Sequence, residues 1–303
     1  MRAAEMAGPR RLALVGAKGM LATMVAQNAP ANWEILPLDL PEFDLTDEQG
    51  VRQTLTRLQP ELILNCAAFT NVDACESQEE LATRVNGVGA MHLARAAAAL
   101  DATLVHISTD YVFDGLKAEP YLEQDAPDPR SAYGRSKLAG ERAILASGLQ
   151  RYFIIRTSWL YGPGGKNFVE TILRLAAERE ELRVVADQVG SPTYTGDLAR
   201  ALFRLLELEQ VEGRSPYGIY HFANAGQCSW FDFAAEIVRL VREAGGPVKA
   251  RQVAPIRTED YPLPAQRPAY SVLSTAKYRA VTGQSVPPWQ ESLRHYLQTR
   301  TSN

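Results

Sequence analysis

Residues 10–29 read RRLALVGAKGMLATMVAQNA. Leu12 to Val15 form a short apolar strand, Gly16 and Gly19 mark a turn, and apolar spacing resumes as a helix near Met20. The unit then repeats. WEILPLD (33–39) is a second strand, and EQGVRQTLTRLQP (48–60) is a helix with Val51, Leu55 and Leu58 on one face. ELILNCAA (61–68) is a third strand, followed by a long helical stretch from about Ser77 to Leu100. ATLVHIS (102–108), the helix SAYGRSKLAGERAILAS (131–147) and the strand RYFIIRTSWLYG (151–162) continue it.

Strands that are apolar nearly throughout and alternate with helices imply a parallel sheet covered on both faces. The expected fold is α/β, a Rossmann-type doubly wound sheet over residues 11–165. Beyond that the pattern loosens: a helix in VETILRLAAERE (169–180), a short strand LRVV (182–185), a helix in DLARALFRLLELE (197–209) and an apolar strand GIYHFA (218–223). The proline-rich EDYPLPAQRP (259–268) precedes a closing helix, PPWQESLRHYLQ, opened by proline. Residues 166–297 are expected to form a smaller mixed α/β lobe over the sheet's carboxyl edge, with 218–223 returning to the main sheet. Residues 1–10 are expected to be a disordered tail.

Composition narrows the function. The chain has 303 residues, 46% of them hydrophobic and 22% charged, with net charge −3, so it lacks the basic footprint of a nucleic-acid or anionic-membrane binder. No apolar run reaches the roughly 18 residues of a membrane span, and MRAAEMAGPRR lacks the apolar stretch of a signal peptide, so a cytoplasmic location is expected. Cys66, Cys75 and Cys228 show no CxxC spacing and read as structural thiols. His92, His106, His221 and His295 are scattered, so no metal site is expected.

Between the first strand and its helix, Gly16 and Gly19 flank Lys18, Met20 and Leu21 open the helix, and Ala22 stands where a third glycine often sits. Such a turn lets backbone amides approach a pyrophosphate at the helix N-terminus, although a glycine turn in this place also serves simply as a turn. Asp39 ends the second strand about 20 residues on, where a carboxylate accepts from both hydroxyls of an adenosine ribose. It would repel a 2′-phosphate and so favours NAD over NADP, a preference that Lys18 softens. Asp44 and Leu45, in the acidic turn DLT, are placed by the adenine. Ala67 and Ala68, after the third strand, are small enough to let a cofactor pass.

Tyr133 and Lys137 stand four apart on a helix, sharing a face with Cβ atoms about 5–6 Å apart. An adjacent ammonium favours a phenolate, bringing a phenol toward useful proton transfer. Thr109, 24 residues upstream, ends the fourth strand at the edge where parallel sheets bind ligands. One carbonyl oxygen between that hydroxyl and that phenol is the arrangement a hydride transfer needs.

The glycine loop, Asp39, NCAAFTNVDACE (65–76), STDYVFDG (108–115), YGRSKLAGE (133–141), RTSWLYG (156–162), NFVETILRLA (167–176), DQVGSPTYTGDLA (187–199) and RPAYSVL (267–273) occur in this order. Together they resemble an extended short-chain dehydrogenase/reductase, and more narrowly the dTDP-4-dehydrorhamnose reductase family, over about residues 11 to 297. The resemblance implies reduction of a dTDP-linked 4-keto-6-deoxy sugar by NADH or NADPH, giving dTDP-L-rhamnose. It implies Tyr133 as proton donor, Lys137 as the group that lowers its pKa and holds the nicotinamide ribose, and Thr109 as partner of the ketone oxygen. Thr70, Asp110, Tyr111, Trp159, Asn167, Gln188 and Arg267 are its implied substrate residues, Trp159 as an apolar wall and Arg267 against diphosphate charge. Asn86 matches a position that related enzymes use for a water relay, or serves as a buried packing amide.

A sugar-nucleotide dehydratase of the same class carries an Asp–Glu pair after the threonine. Here the pair is Asp110–Tyr111, and an ordinary phenol is a poor base toward a carbon-bound proton. Epimerisation at C4 is also poorly matched. Reduction of another nucleotide-linked 4-keto deoxysugar and a non-catalytic nucleotide-binding regulatory subunit are the alternatives. A homodimer through helices of residues 77–100 and 131–147 is a possible assembly.

Overall fold

The computed structural model describes residues 8–211 and 215–300. The chain opens with β1 (Arg10–Val15), α1 (Met20–Asn28), β2 (Trp33–Leu38), α2 (Glu48–Leu58) and β3 (Leu62–Asn65). Three helices, α3 (Val72–Ser77), α4 (Glu79–Thr83) and α5 (Gly89–Leu100), follow, with a π-helical turn, Arg84–Val88, between the last two. Then come β4 (Thr103–Thr109), α6 (Ala132–Ala146), β5 (Tyr152–Thr157) and β6 (Leu160–Tyr161). The remainder is α7 (Phe168–Glu178), β7 (Glu181–Val185), β8 (Val189–Gly190), β9 (Thr193–Tyr194), α8 (Thr195–Leu208), β10 (Gly218–His221), β11 (Cys228–Ser229), α9 (Trp230–Glu243), β12 (Gln252–Ile256), α10 (Ala276–Thr282) and α11 (Trp289–Arg300).

Six strands form one parallel sheet in the order β10-β5-β4-β3-β1-β2. Alternate side chains go to opposite faces, as a pleated strand requires. Leu12 and Leu14 join the core with α1 and α8, while Ala13 and Val15 join the core with α2 and α5. The sheet is therefore doubly wound. Its order reverses between β1 and β3, and ligands of such sheets lie at that crevice, beyond the strands' carboxyl ends.

Of the GIYHFA stretch, Gly218–His221 form β10, paired with β5 at the sheet's edge, and Phe222 and Ala223 lie beyond it. Two expectations change. Arg10 is not tail but the first residue of β1, paired with Trp33, while residues 1–7 lie outside the described residues. The long helical stretch expected from about Ser77 runs from Glu79 to Leu100 as α4, a π turn and α5, but is preceded by α3, which starts at Val72 where Asn71 caps it by accepting from the Ala74 amide. The two-residue strands β8, β9 and β11 and the helices α9 and α10 were not read from the sequence, nor was β12. α9 is opened by a reciprocal capping box between Ser229 and Asp232, and β12 pairs in parallel with β7. Among the described residues no helix is long and apolar enough to cross a membrane.

Candidate active site

A cavity of about 800 Å³ runs along the carboxyl edge of β1, β3 and β4. Gly16, Lys18, Gly19, Met20, Leu21, Asp39, Asp44, Leu45, Ala67 and Ala68 line one part of it. Thr70, Thr109, Asp110, Tyr111, Tyr133, Lys137 and Trp159 line the other. Residues separated by more than a hundred positions thus share one space, because each lies at or after a strand's carboxyl end or in the first two turns of a helix on the same edge.

Gly16 has φ +76°, and a Cβ there would stand 2.6 Å from the Ala67 backbone nitrogen. The first βα turn and the end of β3 meet only because Gly16 has no side chain. Gly19 is the N-cap of α1 and offers no side chain to its amides, and no acidic residue stands in the first turn. The N-terminal amides and the positive end of the helix thus face the cavity, a fit for a pyrophosphate. The Asp39 carboxylate accepts from the Lys18 amide (2.7 Å) and the Leu40 amide (2.8 Å), and Lys18 Nζ donates to the Leu40 carbonyl (2.6 Å). Asp39 therefore braces the glycine loop as well as facing the cavity.

At the other end, the Thr109 hydroxyl donates to Asp110 Oδ1 (3.0 Å) and accepts from the Tyr111 amide (3.2 Å). The rings of Tyr111 and Tyr133 meet edge to face at 5.5 Å. Burial raises the Tyr133 phenol above its ordinary value, the neighbouring Thr109 hydroxyl pulls it back, and the Asp110 charge pushes it further up. The lowering expected from Lys137 is not among these influences. Lys137 is 1% exposed, and its Nζ donates to the Ile107 carbonyl (2.6 Å) and lies 3.3 Å from His106 Nε2. Burial pushes this amine down to about 8, with Glu141 and Cys66 pulling upward. Asp110 is also buried; desolvation raises its carboxyl to about 6, against hydrogen bonds from Ser271, Thr109 and nearby backbone.

A buried ion pair holds the helix that carries Tyr133 and Lys137. Arg156 of β5 grips Glu141 of α6 through Nε (3.0 Å) and Nη2 (2.7 Å), and the Ser108 hydroxyl donates to the same carboxylate (2.5 Å). Both charged side chains are 2% exposed. Asn86 in the π turn accepts from the Phe69 amide and donates to the Phe69 carbonyl and to Ser136 Oγ. Its whole amide is engaged in packing, leaving no donor for a water relay.

Three expected substrate residues do not line the cavity. Asn167 caps α7 by accepting from the Glu170 amide, and donates to the Gly162 and Gly165 carbonyls. Gln188 donates to Thr258 Oγ1 (3.0 Å). Arg267 is clasped by Asp73 at 3.0 and 2.7 Å, and also donates to the Ala265 carbonyl. A residue not anticipated takes a place instead. Trp230, the first residue of α9, lines the cavity and stacks on Trp159 with centroids 3.4 Å apart and planes within 6°. Trp159 has φ +49°, a left-handed conformation that is costly for a bulky residue, and its indole rests where any Cβ on Gly190 would sit, 2.5 Å away. The signal for Trp230 was the capping pattern SWFD ahead of an apolar periodic run.

The sheet order, the glycine turn at its switch point and the Thr109, Tyr133 and Lys137 group define a short-chain dehydrogenase/reductase of the extended kind. Within that class, the chain belongs to the RmlD substrate binding domain family, which matches residues 10–302. It is 43% identical over 295 residues to the spore coat polysaccharide biosynthesis protein SpsK of Bacillus subtilis (strain 168), covering 96% of this chain and 98% of that protein. It is 40% identical to the dTDP-4-dehydrorhamnose reductase of Aggregatibacter actinomycetemcomitans, covering 94% and 97%. The crystal structure of dTDP-4-dehydrorhamnose reductase from Bacillus anthracis in complex with NADP superposes with a TM-score of 0.89 at 39% identity, covering 96% of this chain and 99% of that one.

Proposed function

We propose that this protein reduces the 4-keto group of dTDP-4-dehydro-6-deoxy-L-mannose (dTDP-4-dehydrorhamnose) to give dTDP-L-rhamnose, using a nicotinamide cofactor. The observation that carries the reading is the single cavity with a bare helix N-terminus at one end and Thr109, Tyr133 and Lys137 at the other. The relatives with near-complete coverage support it. When bound, the reduced cofactor supplies hydride to C4. Thr109 orients the ketone oxygen once its hydroxyl turns from Asp110 to donate to that oxygen, Tyr133 delivers a proton to the oxygen as negative charge develops there, and Lys137 holds the nicotinamide ribose. Asp110, Tyr111, Trp159 and Thr70 bound the sugar.

Residues 166–297, apart from β10, are the proposed substrate lobe, and residues 11–165 the cofactor domain. Asp39 supports NADH over NADPH, with the Lys18 ammonium beside it opposing that preference. The competing substrates are other nucleotide-linked 4-keto deoxysugars, and the competing class is a regulatory subunit. Loss of absorbance at 340 nm on adding the dTDP-linked 4-keto sugar, with either cofactor, tests all of these together. Turnover of that sugar ahead of a panel of other 4-keto sugar nucleotides supports the reading; no oxidation of either cofactor with any of them rejects it.

A further inference from the structure

Two buried polar side chains, one on β3 and one on β4, stand directly behind Lys137. Asn65 ends β3 and His106 lies in β4; both are 2% exposed or less. The Asn65 amide has only one orientation open to it, because the Ala67 backbone N–H donates to its Oδ1 (3.1 Å). Its Nδ2 must then be the atom 3.0 Å from His106 Nδ1, and an amide nitrogen only donates. His106 Nδ1 is therefore an acceptor and carries no proton. A neutral imidazole holds its one proton on the other nitrogen, Nε2, which stands 3.3 Å from Lys137 Nζ.

An ammonium has three donors and no acceptor, so it cannot satisfy a ring N–H that points at it. A neutral amine has a lone pair that can. We propose that His106, oriented by Asn65, is a positioning residue for Lys137: its Nε2–H points at Nζ and favours an amine that accepts from the ring while donating to the Ile107 carbonyl. Lys137 is then a proton-exchanging group and not a fixed charge. The other ionisable groups that face it are Glu141, one turn along α6 and neutralised by Arg156, and the Cys66 thiol after β3. Both favour the ammonium, so the His106 N–H opposes them. The burial-lowered amine at about 8 and a His106 ring held well below its usual value by burial and by Lys137 agree with this arrangement.

The functional consequence rests on the reductase reading. After Tyr133 has given its proton to the substrate oxygen, an ammonium at Lys137, which has no direct contact with the phenol, releases one N–H proton toward the phenolate through an intervening hydroxyl and becomes the amine, which regains a proton from solvent. The ring N–H makes that loss easy. The test does not depend on turnover. With ¹⁵N-histidine in the ligand-free full-length protein near pH 7, NMR is expected to show the Nε2–H tautomer for His106. With ¹³C-lysine, the Lys137 Cε resonance is expected to titrate near pH 8. His106→Gln, which places an amide oxygen within reach of Nζ, and Asn65→Asp, which reverses the tautomer by offering Nδ1 an acceptor, should each raise that midpoint by about one unit or more. They should also carry the basic limb of the kcat profile upward. An Nδ1–H tautomer or an imidazolium in the parent overturns the proposal, as does a Lys137 midpoint unmoved in the folded variants. Should either variant fail to fold, the parent tautomer decides. A protein that reduces no sugar yet shows the Nε2–H tautomer and the shifted midpoints rejects the functional reading and leaves this one standing.

Discussion

Gly16 and Asp110 show how single atoms shape the cavity. Adding one methyl at Gly16 places a Cβ against the Ala67 backbone and forces an alanine into positive φ, so the crevice between β1 and β3 must open. Gly16→Ala is expected to weaken NADH and NADPH binding at least about tenfold by calorimetric titration, with the fold retained by circular dichroism. Asp110 makes a different point. Its carboxyl is raised to about 6 from the ordinary carboxylate value, so the stability it contributes is fully present below about pH 4 and is lost as pH rises through 6. Replacing it with Asn removes that loss. Asp110→Asn should gain on the order of 2–3 kcal/mol over the parent at pH 7 and nearly nothing at pH 4, read from urea melts at both pH values. For Tyr133→Phe the expected result is unchanged cofactor affinity with kcat lowered by roughly 10²–10⁴.

Between elements, α6 carries Tyr133 and Lys137 to the cavity, and Arg156 of β5 grips it through Glu141. A bidentate pair between side chains 2% exposed leaves a bare buried carboxylate if the arginine is removed. Arg156→Met is therefore expected to cost about 3–5 kcal/mol in chemical denaturation, whereas the exposed pair of Arg174 with Glu178 can be cut for about 0.5 kcal/mol or less. Much at this scale was legible in the sequence. Apolar runs punctuated by glycine and capping residues marked β1 to β5 with their helices, since those signals are local. The helical stretch after β3 was started too late, at about Ser77 and not Val72, and its π turn went unseen because that turn leaves apolar spacing nearly intact. α9 was passed over although its Ser229–Asp232 box is a local signal.

Across the whole molecule, the site divides by how far apart its partners lie in the chain. Thr109, Tyr133 and the glycine loop could be placed at the cavity from the sequence because each stands at a strand end or a helix start. Asn65 and His106 were not, because a polar residue within an apolar strand reads as a packed one until its neighbours in space are known. Arg267 was expected to face the ligand, yet its partner is Asp73, 194 positions away, which also accepts from the Ala265 amide. That clasp ties the proline-rich segment 259–268 to α3 beside the cavity. Asp73→Ala should change global stability by about 1 kcal/mol or less, since the pair is partly exposed, but should speed proteolytic cleavage within 257–266 severalfold. The homodimer expected through residues 77–100 and 131–147 is checked by light scattering of Val88→Glu with Leu145→Glu, one exposed apolar residue from each stretch; an unchanged mass with both charges present counts against those surfaces.

The stacked indoles of Trp159 and Trp230 give the chain an optical signature of its own. Two stacked chromophores with centroids 3.4 Å apart couple their excited states, and such a pair is expected to yield a far-ultraviolet couplet whose sign and size follow the angle between the two indole transition dipoles. Because both rings border the cavity, a ligand that tilts either one by a few degrees changes the couplet's sign or size. Cofactor and sugar nucleotide can then be titrated without a label, and Trp230→Phe, which abolishes the couplet, supplies the blank.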